Sequence, residues 1–438
     1  MQASAQEVVS ILQQAGHIAY LAGGCVRDSL LGFEPKDFDI ATSATPPQVV
    51  SLFPGGRSVG AHFGVILVKR GKFTFEIATF RTDGSYTDGR RPESVEFSTP
   101  EQDAERRDFT INGLFLDPIS NEIIDFVGGR ADIEARLVRA IGDPNERLRE
   151  DYLRLLRAIR FAARFDYEIE PNTWQAIDQH AADILTISAE RIREEFSRIL
   201  IHPTRLRGFD LLVESGLMAQ IMPEILALRG CEQPPQFHPE GDVFVHTRLM
   251  LSLLPEQASL PLVLAVLLHD IGKPATFSFD EEAGRIRFNG HDKVGAEMSE
   301  KILRRLKFSN AIVSATTEMV SRHMAFMNVQ QMRTSKLKRF MNGEHFDDEL
   351  ELHRVDCLGS WGGLDNYEFL QSKAEEFASA PLVPPPLITG RDLIERGQQP
   401  GPRFREILTE AQNLQLEGTI DDREAALVWL DGRLGETG

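Results

Sequence analysis

The sequence predicts an α+β protein, a small mixed sheet at the amino end followed by helices, and three observations carry that expectation. β-Branched and aromatic runs are confined to the first ~125 residues, helical periodicity takes over after Gly128-Gly129, and two proline-rich breaks divide the helical part. At 438 residues the chain exceeds one ordinary core, so several domains are expected.

The elements follow in order. Val8, Val9, Ile11 and Leu12 recur at helical spacing over residues 5–16, and Gly16 closes that segment. Ile18 to Ala22 is a short buried-strand run ending at Gly23-Gly24, and Val26 to Leu31 is helical before Gly32, which gives strand, glycine turn, helix. Phe38 to Ala41, Gly64 to Val68 and Phe73 to Arg81 read as strands, with Gly71-Lys72 turning between the last two. Residues 130–227 should be helices. The break from Gln233 to Pro239 separates them from a second helical block beginning near Val243, and Pro381 to Pro386 precede a final short helical segment. Four regions result: 1–129, 130–232, 240–362 and 363–438. No solenoid repeat is apparent.

Composition excludes some classes. Cys25, Cys231 and Cys357 are few, odd in number and far apart, which argues for reduced thiols and against a disulfide framework or a cysteine-rich zinc site. The first twenty residues lack a basic start and a long apolar run, and no stretch approaches a membrane span, so a cytoplasmic protein is expected. The net charge of −18 opposes a nucleic-acid partner at long range. Locally the balance differs: from Arg147 to Arg207 there are eleven arginines against ten acids, which fits either a basic groove or a solvated helix surface.

The first chemical constellation is Gly23-Gly24-Cys-Val-Arg27-Asp28, followed by Asp37-Phe38-Asp39. On a strand, residues i and i+2 face one side about 7 Å apart, so Asp37 and Asp39 can turn both carboxylates toward one metal cluster. Hard oxygen ligands suit Mg²⁺, and two such ions can serve an in-line displacement at phosphorus. Gly23 and Gly24 let backbone approach a triphosphate, while Arg27 can add a bidentate contact. Alone, Asp-x-Asp is usually a polar turn and Gly-Gly a turn. Their order and spacing are far more specific.

With these residues in place, LAGGCVRDSLLGFEPKDFDIATSATP resembles the DNA polymerase beta nucleotidyltransferase superfamily, in its bacterial tRNA nucleotidyltransferase and poly(A) polymerase branch. That resemblance implies a polymerase-beta-like head on a small mixed sheet, then an all-helical neck, an HD body and a tail. It makes Asp37 and Asp39 the catalytic magnesium ligands and Gly24 and Arg27 nucleotide contacts. Phe80 to Pro92 looks like the flexible loop used in terminal A addition. Glu105-Arg106-Arg107-Asp108-Phe-Thr-Ile-Asn112 matches the next motif, with Arg107 on the nucleotide. Glu76 is a bare conjecture for the third carboxylate.

Arg149 to Arg164 reads as one helix on which Asp151, Arg154 and Arg157 share a face. A carboxylate accepts from an exocyclic amino group and a guanidinium donates to ring nitrogen or carbonyl oxygen, so an Asp-Arg pair can imitate the edge of a complementary base. On an arbitrary helix such a trio is an ordinary salt bridge. The family's template motif gives Asp151 and Arg154 the base-reading role and Arg157 and Arg160 nucleotide contacts. Ile187 to Leu200 resembles the last neck motif, a supporting helix capped by Ser188.

His246, His269-Asp270, His291, His323 and Asp356 lie in the central helical block, with His269-Asp270 at a helix end. Imidazoles and carboxylates on neighbouring helices can hold one or two divalent metals. The ordered set resembles an HD phosphohydrolase domain, with His246, His269, Asp270 and Asp356 as core ligands. The implied function is addition of C, C and A to tRNA from CTP and ATP, without a template and with release of pyrophosphate. An A-adding enzyme, a poly(A) polymerase and an HD phosphohydrolase acting on RNA ends remain alternatives, and oligomeric state stays open.

Overall fold

The computed structural model describes residues 1–58, 64–83, 95–236 and 238–435. Residues 84–92 of the expected loop lie outside them. Two compact units emerge, residues 1–226 with 305–307, and residues 227–304 with 308–438.

In the first unit a seven-stranded sheet runs β3-β4-β5-β2-β1-β8-β9. Its strands are β1 (Ala19–Ala22), β2 (Asp39–Thr42), β3 (Arg57–Ser58), β4 (Val65–Arg70), β5 (Phe73–Thr79), β8 (Phe115–Asp117) and β9 (Glu122–Ile124), while β6 (Arg81–Asp83) and β7 (Val95–Phe97) form a separate pair. Only β2 and β5 pair in parallel; the other neighbours are antiparallel. Helices α1 (Gln2–Gln14), α2 (Gly24–Leu30), α3 (Pro46–Leu52) and α4 (Pro100–Glu105) complete the head. Val8, Val9 and Leu12 of α1 pack with Leu21, Ile40, Ile66, Phe75 and Ile77 of the sheet, so alternate strand residues go inward and leave the intervening ones for chemistry.

The helical neck comprises α5 (Gly129–Glu134), α6 (Pro144–Glu150), α7 (Leu153–Phe165), α8 (Pro171–Gln179), α9 (Ala189–Leu200), α10 (Arg205–Glu214), α11 (Leu217–Ile221) and α12 (Pro223–Leu226). Two expectations need correction. The stretch from Arg149 to Arg164 is two helices, because Asp151 leaves the helical region (φ −155°, ψ 102°) and its carboxylate accepts from the Leu153 amide at 3.0 Å. An aspartate that bonds backbone two residues on competes with the helix. The neck also holds a short parallel pair, β10 (Leu137–Val138) with β11 (Glu168–Ile169). Ser188 stands at the N-cap of α9 without a side-chain capping bond.

The second unit carries α13 (Val243–Leu253), α14 (Leu260–Leu268), α15 (Lys273–Thr276), the hairpin β12 (Ser278–Asp280) and β13 (Arg285–Arg287), α16 (His291–Arg305), α17 (Asn310–Arg322), a 3₁₀ stretch (His323–Gln331), α18 (Thr334–Met341), α19 (Phe346–Leu358) and α20 (Asp365–Phe377). Beyond the proline break the tail is longer than expected, with α21 (Gly390–Glu395), α22 (Pro402–Leu416) and α23 (Arg423–Gly435) sharing a small core of Ile388, Leu393, Ile407, Ile420 and Leu430. All three cysteines are free, and no helix among the described residues is long and apolar enough to cross a membrane.

Gly129 opens α5 against Thr110, where an added Cβ would come within 2.2 Å of the Thr110 carbonyl oxygen. Backbone cannot yield as a side chain can, so Gly129→Ala is expected to cost about 3 kcal/mol, at the upper end of overpacking costs, in a denaturant titration. A loss below 1 kcal/mol would show that this contact relaxes freely.

Candidate active site

Strand alternation decides what faces the cleft. Phe38 is buried and Asp37 and Asp39 on either side of it are exposed, with Asp39 the first residue of β2. Ile40 pairs in register with Ile77 of β5 and both are buried, so Asp39 and Glu76, one residue before each, leave the opposite face side by side. The carboxyl of Asp39 is accessible from the cleft, yet shielded: burial first, then the charges of Asp37 and Glu76, push it from 3.8 to about 6 against the pull of Arg107. Mutual repulsion in an all-oxygen set is what a bound divalent cation relieves, so these residues fit the metal that a polymerase head requires. Glu76 could be found only through the pairing of two strands distant in sequence.

Gly23 has φ +70°, and a Cβ there would stand 2.7 Å from Nη1 of Arg107. Glycine thus lets the guanidinium lie against the turn. Arg107 donates to the carboxylate of Asp103 and to the Asn112 carbonyl, each at 3.1 Å. A cavity of about 450 Å³ brings Gly23, Gly24, Asp39, Arg107, Asp151 and Arg154 together. A neighbouring cleft of about 710 Å³ shares Gly24, Asp39 and Arg157 with it and adds Arg27, Asp37 and Arg160. The expected metal and nucleotide contacts of head and neck, Glu76 apart, therefore line one or both.

The arginines here are all engaged. Arg27 is 4% exposed, bonds Asp28 at 2.6 Å and the Asn112 side chain, and lies over the rings of Phe161 and Phe165. Arg157 meets Asp108 at 2.6 Å, and although burial opposes it, that cation with the Asn112 bond holds the Asp108 carboxyl well below its usual value. Arg160 bonds Glu195 at 2.5 Å. Asp151 and Arg154 do not pair with each other: Asp151 is held by Arg191 at 2.6 and 3.1 Å, and Arg154 by Glu150 and the Arg147 carbonyl. Arg191 was expected only to support the fold; the structure sets it in the cavity wall on the proposed base reader. Burial and the charges of Arg164, Arg205 and Arg160 hold His202 below its usual value, a sign that the larger cleft is electropositive.

In the second unit the four HD residues converge as expected, and two more join them. His246, His269 and Asp356 offer ligand atoms within 4.8 Å of one another, and so do Asp270, His291 and His323. His269 is the C-cap of α14, as its sequence position predicts. The buried Nε2 atoms of His246 and His269 each lie 3.1 Å from a carboxylate oxygen, of Asp356 and Asp270 respectively, a donor set that fits a metal. Burial opposes a proton on His246, but bonds toward Asp356 and Glu240 outweigh it and raise the group to about 10, a proton that an ion would displace. Burial, with His269 next to it, lowers His323 to about 4, so that ring is neutral.

Compared with known proteins, residues 19–139 match the Poly A polymerase head domain, residues 166–228 the probable RNA and SrmB-binding site of polymerase A, and residues 243–350 the HD domain. The CCA-adding enzyme of Geobacillus stearothermophilus is 45% identical over 221 residues, 49% of this chain and 54% of that one, so this match spans about half of the relative's length. The CCA-adding enzyme of Levilactobacillus brevis is 30% identical over 427 residues, covering 97% of this chain and 96% of that one. The chain belongs to the CCA-adding enzyme family. Its fold agrees with that membership: the crystal structure of the Bacillus stearothermophilus CCA-adding enzyme in complex with CTP superposes with a TM-score of 0.76 at 28% identity, over 99% of this chain and 97% of that one. The head-domain match spans Asp37 and Asp39, and the HD match spans His246 to His323 but ends before Asp356.

Two predictions follow from the charges. Because the folded carboxyl of Asp39 titrates at about 6 and the unfolded one near 3.8, folding is favoured by its proton, and the metal-free protein loses stability as pH rises through that interval. In chelator, Asp39→Asn should melt above the parent at pH 7, with the gap closing toward pH 4; a pH-independent gap would refute the strained carboxylate. Removing one partner of a buried pair leaves the other uncompensated, so Asp108→Ala should lower unfolding free energy by about 3 kcal/mol in urea.

Proposed function

We propose that the protein completes the 3′ end of tRNA by adding C, C and A in turn from CTP and ATP, releasing pyrophosphate and using no nucleic-acid template. The observation that carries this reading is the gathering of Asp39, Arg107, Asp151 and Arg154 around one cavity, which sets a metal-binding carboxylate beside a base-reading pair. The likeness to the CCA-adding enzymes of Geobacillus stearothermophilus and Levilactobacillus brevis supports it, as does the CTP bound to the Bacillus stearothermophilus enzyme. On this reading the protein works in the cytoplasm, with its substrate tRNA.

Asp37 and Asp39, with Glu76 beside them, would hold Mg²⁺, which would supply Lewis acidity toward the attacking 3′ hydroxyl and the leaving pyrophosphate. The 3′ oxygen bonds to the α-phosphorus as the bond to pyrophosphate breaks. Arg107 and Arg157 neutralise the triphosphate, and Gly24 admits it close to the backbone. Asp151 accepts from the exocyclic amino group that C and A share, and Arg154 donates to the ring, so U and G, which offer a carbonyl there, meet a carboxylate instead. Arg191, bonded to both oxygens of Asp151, keeps it aimed.

The test is single-nucleotide resolution of products on tRNA transcripts ending before C74, C75 or A76, with each nucleotide supplied separately. Asp37→Ala and Asp39→Ala are expected to lower incorporation by roughly 10³-fold or more, about 4 kcal/mol of barrier. Asp151→Ala or Arg154→Ala should narrow the preference for CTP and ATP over UTP and GTP by roughly 10- to 100-fold, with little change in tRNA affinity. Discrimination that survives both substitutions would remove the template role.

A further inference from the structure

Helix α2 ends in a turn that carries an aromatic ring out of the fold. Gly32 takes φ +75°, its amide donates to the Ser29 carbonyl at 3.1 Å, and the Phe33 amide donates to the Asp28 carbonyl at 2.9 Å, the paired bonds of a Schellman cap. An apolar residue after such a cap ordinarily packs back on its own helix. Here the helix residues it would meet are Arg27 and Asp28, which are bonded to each other, with Arg164 on the second oxygen of Asp28. Phe33 reaches to α7 instead. Its ring meets that of Phe165 with centroids 6.2 Å apart and planes tilted by 32°, and the residue stays 51% exposed.

A single exposed apolar side chain needs no explanation, but this one ends a series. Ring contacts run from buried Phe109 to Phe161, from Phe161 to Phe165 and from Phe165 to Phe33, so the open ring rests on a rigid base. The larger cleft lies alongside. Arg164, whose guanidinium is 4.8 Å from the centre of the Phe165 ring, lines it, as do Lys36, shortly after Phe33, and the exposed Ile201.

The chemistry of the reaction says what passes this rim. In an in-line displacement the attacking oxygen and the leaving pyrophosphate stand on opposite sides of the phosphorus. The base-reading pair Asp151 and Arg154 lines the smaller cavity, and both clefts share Asp39, so the attacking RNA end comes by the larger one. Its cations Arg160, Arg164 and Arg198 suit phosphodiester oxygens. An unpaired nucleotide also presents a flat base, which proteins that bind single strands place on aromatic rings.

We propose that Phe33 is a stacking platform for an unpaired base of the RNA 3′ strand, a positioning residue that holds the end while the cleft wall holds its phosphates. This rests on the reading of the protein as one that adds nucleotides to RNA. Every base has a π-face, so the platform tolerates any sequence and leaves nucleotide choice to Asp151 and Arg154. A ring already fixed by a cap and a neighbour gives up little freedom on binding.

The experiment uses the full chain and tRNA transcripts with 5-iodouridine at each unpaired 3′ position in turn, irradiated without nucleotide and mapped by mass spectrometry. A cross-link to Phe33 is expected from at least one position, and its loss in Phe33→Ala. In steady-state incorporation Phe33→Ala should raise KM for tRNA about 10-fold, the effect of one lost stacking contact, with kcat and the preference for CTP and ATP unchanged. Phe33→Trp should keep the parent KM, while Phe33→Leu, apolar but without a π-face, should behave as Phe33→Ala. No cross-link to Phe33 from any position, an unchanged KM in Phe33→Ala, or a parent-like KM in Phe33→Leu would overturn the proposal. Cross-linking by a parent protein that incorporates no nucleotide would instead refute nucleotide addition and leave the platform as an RNA contact.

Discussion

A single buried carboxylate, Asp108, sets the spacing of the catalytic cleft. One of its oxygens takes the amide of Phe109 at 2.8 Å and the side chain of Asn112 at 2.9 Å, and the other takes Arg157 at 2.6 Å. Asn112 in turn holds Arg27 through its side chain and Arg107 through its carbonyl. Three arginines from three separate stretches of sequence are thereby fixed against one acid. Burying such a charge is costly unless its bonds are complete, and here they are. The same ion pair joins the head to the helix α7 within one compact unit.

Much of this was legible in the sequence because the decisive signals are local. The alternation around Phe38 sends Asp37 and Asp39 to one side whatever the sheet does, and the apolar run ending at His269 announces a helix terminus. What escaped reading depends on partners distant in the chain. Glu76 acquires its place only when β5 lies parallel to β2, and Arg191 only when α9 crosses the break after α6. Periodicity also misled once. The three-residue recurrence of Asp151, Arg154 and Arg157 suits an uninterrupted helix, yet an aspartate able to bond the amide two residues ahead ends α6 and begins α7 anew. The strands β8 and β9 are three residues each, too short to leave a pattern. Family resemblance named Arg107 and Arg154 without revealing that Asp103 and Glu150 occupy them.

Those occupied arginines change what a basic groove means here. Every arginine that lines the larger cleft is bonded to an acid: Arg157 to Asp108, Arg160 and Arg198 to Glu195, Arg27 and Arg164 to Asp28. A guanidinium has five N–H donors, so one acid does not exhaust it. The acids fix direction without using every donor. A lysine in these positions would lose that division of labour, since its ammonium is a point charge without a planar fork.

The rings beneath those arginines carry the matter further. Phe161 and Phe165 stack in parallel with centroids 6.1 Å apart, and Arg27, Arg157, Arg160 and Arg164 lie over one or both of them. Positive charge is thus stored below the surface, on greasy supports, while the exterior stays strongly acidic. A polyanion meets the repulsion of the net charge at long range and these four guanidinium groups gathered in the larger cleft at short range. An overall charge of −18, which alone would speak against any contact with RNA, acts instead as a sieve against unproductive encounters.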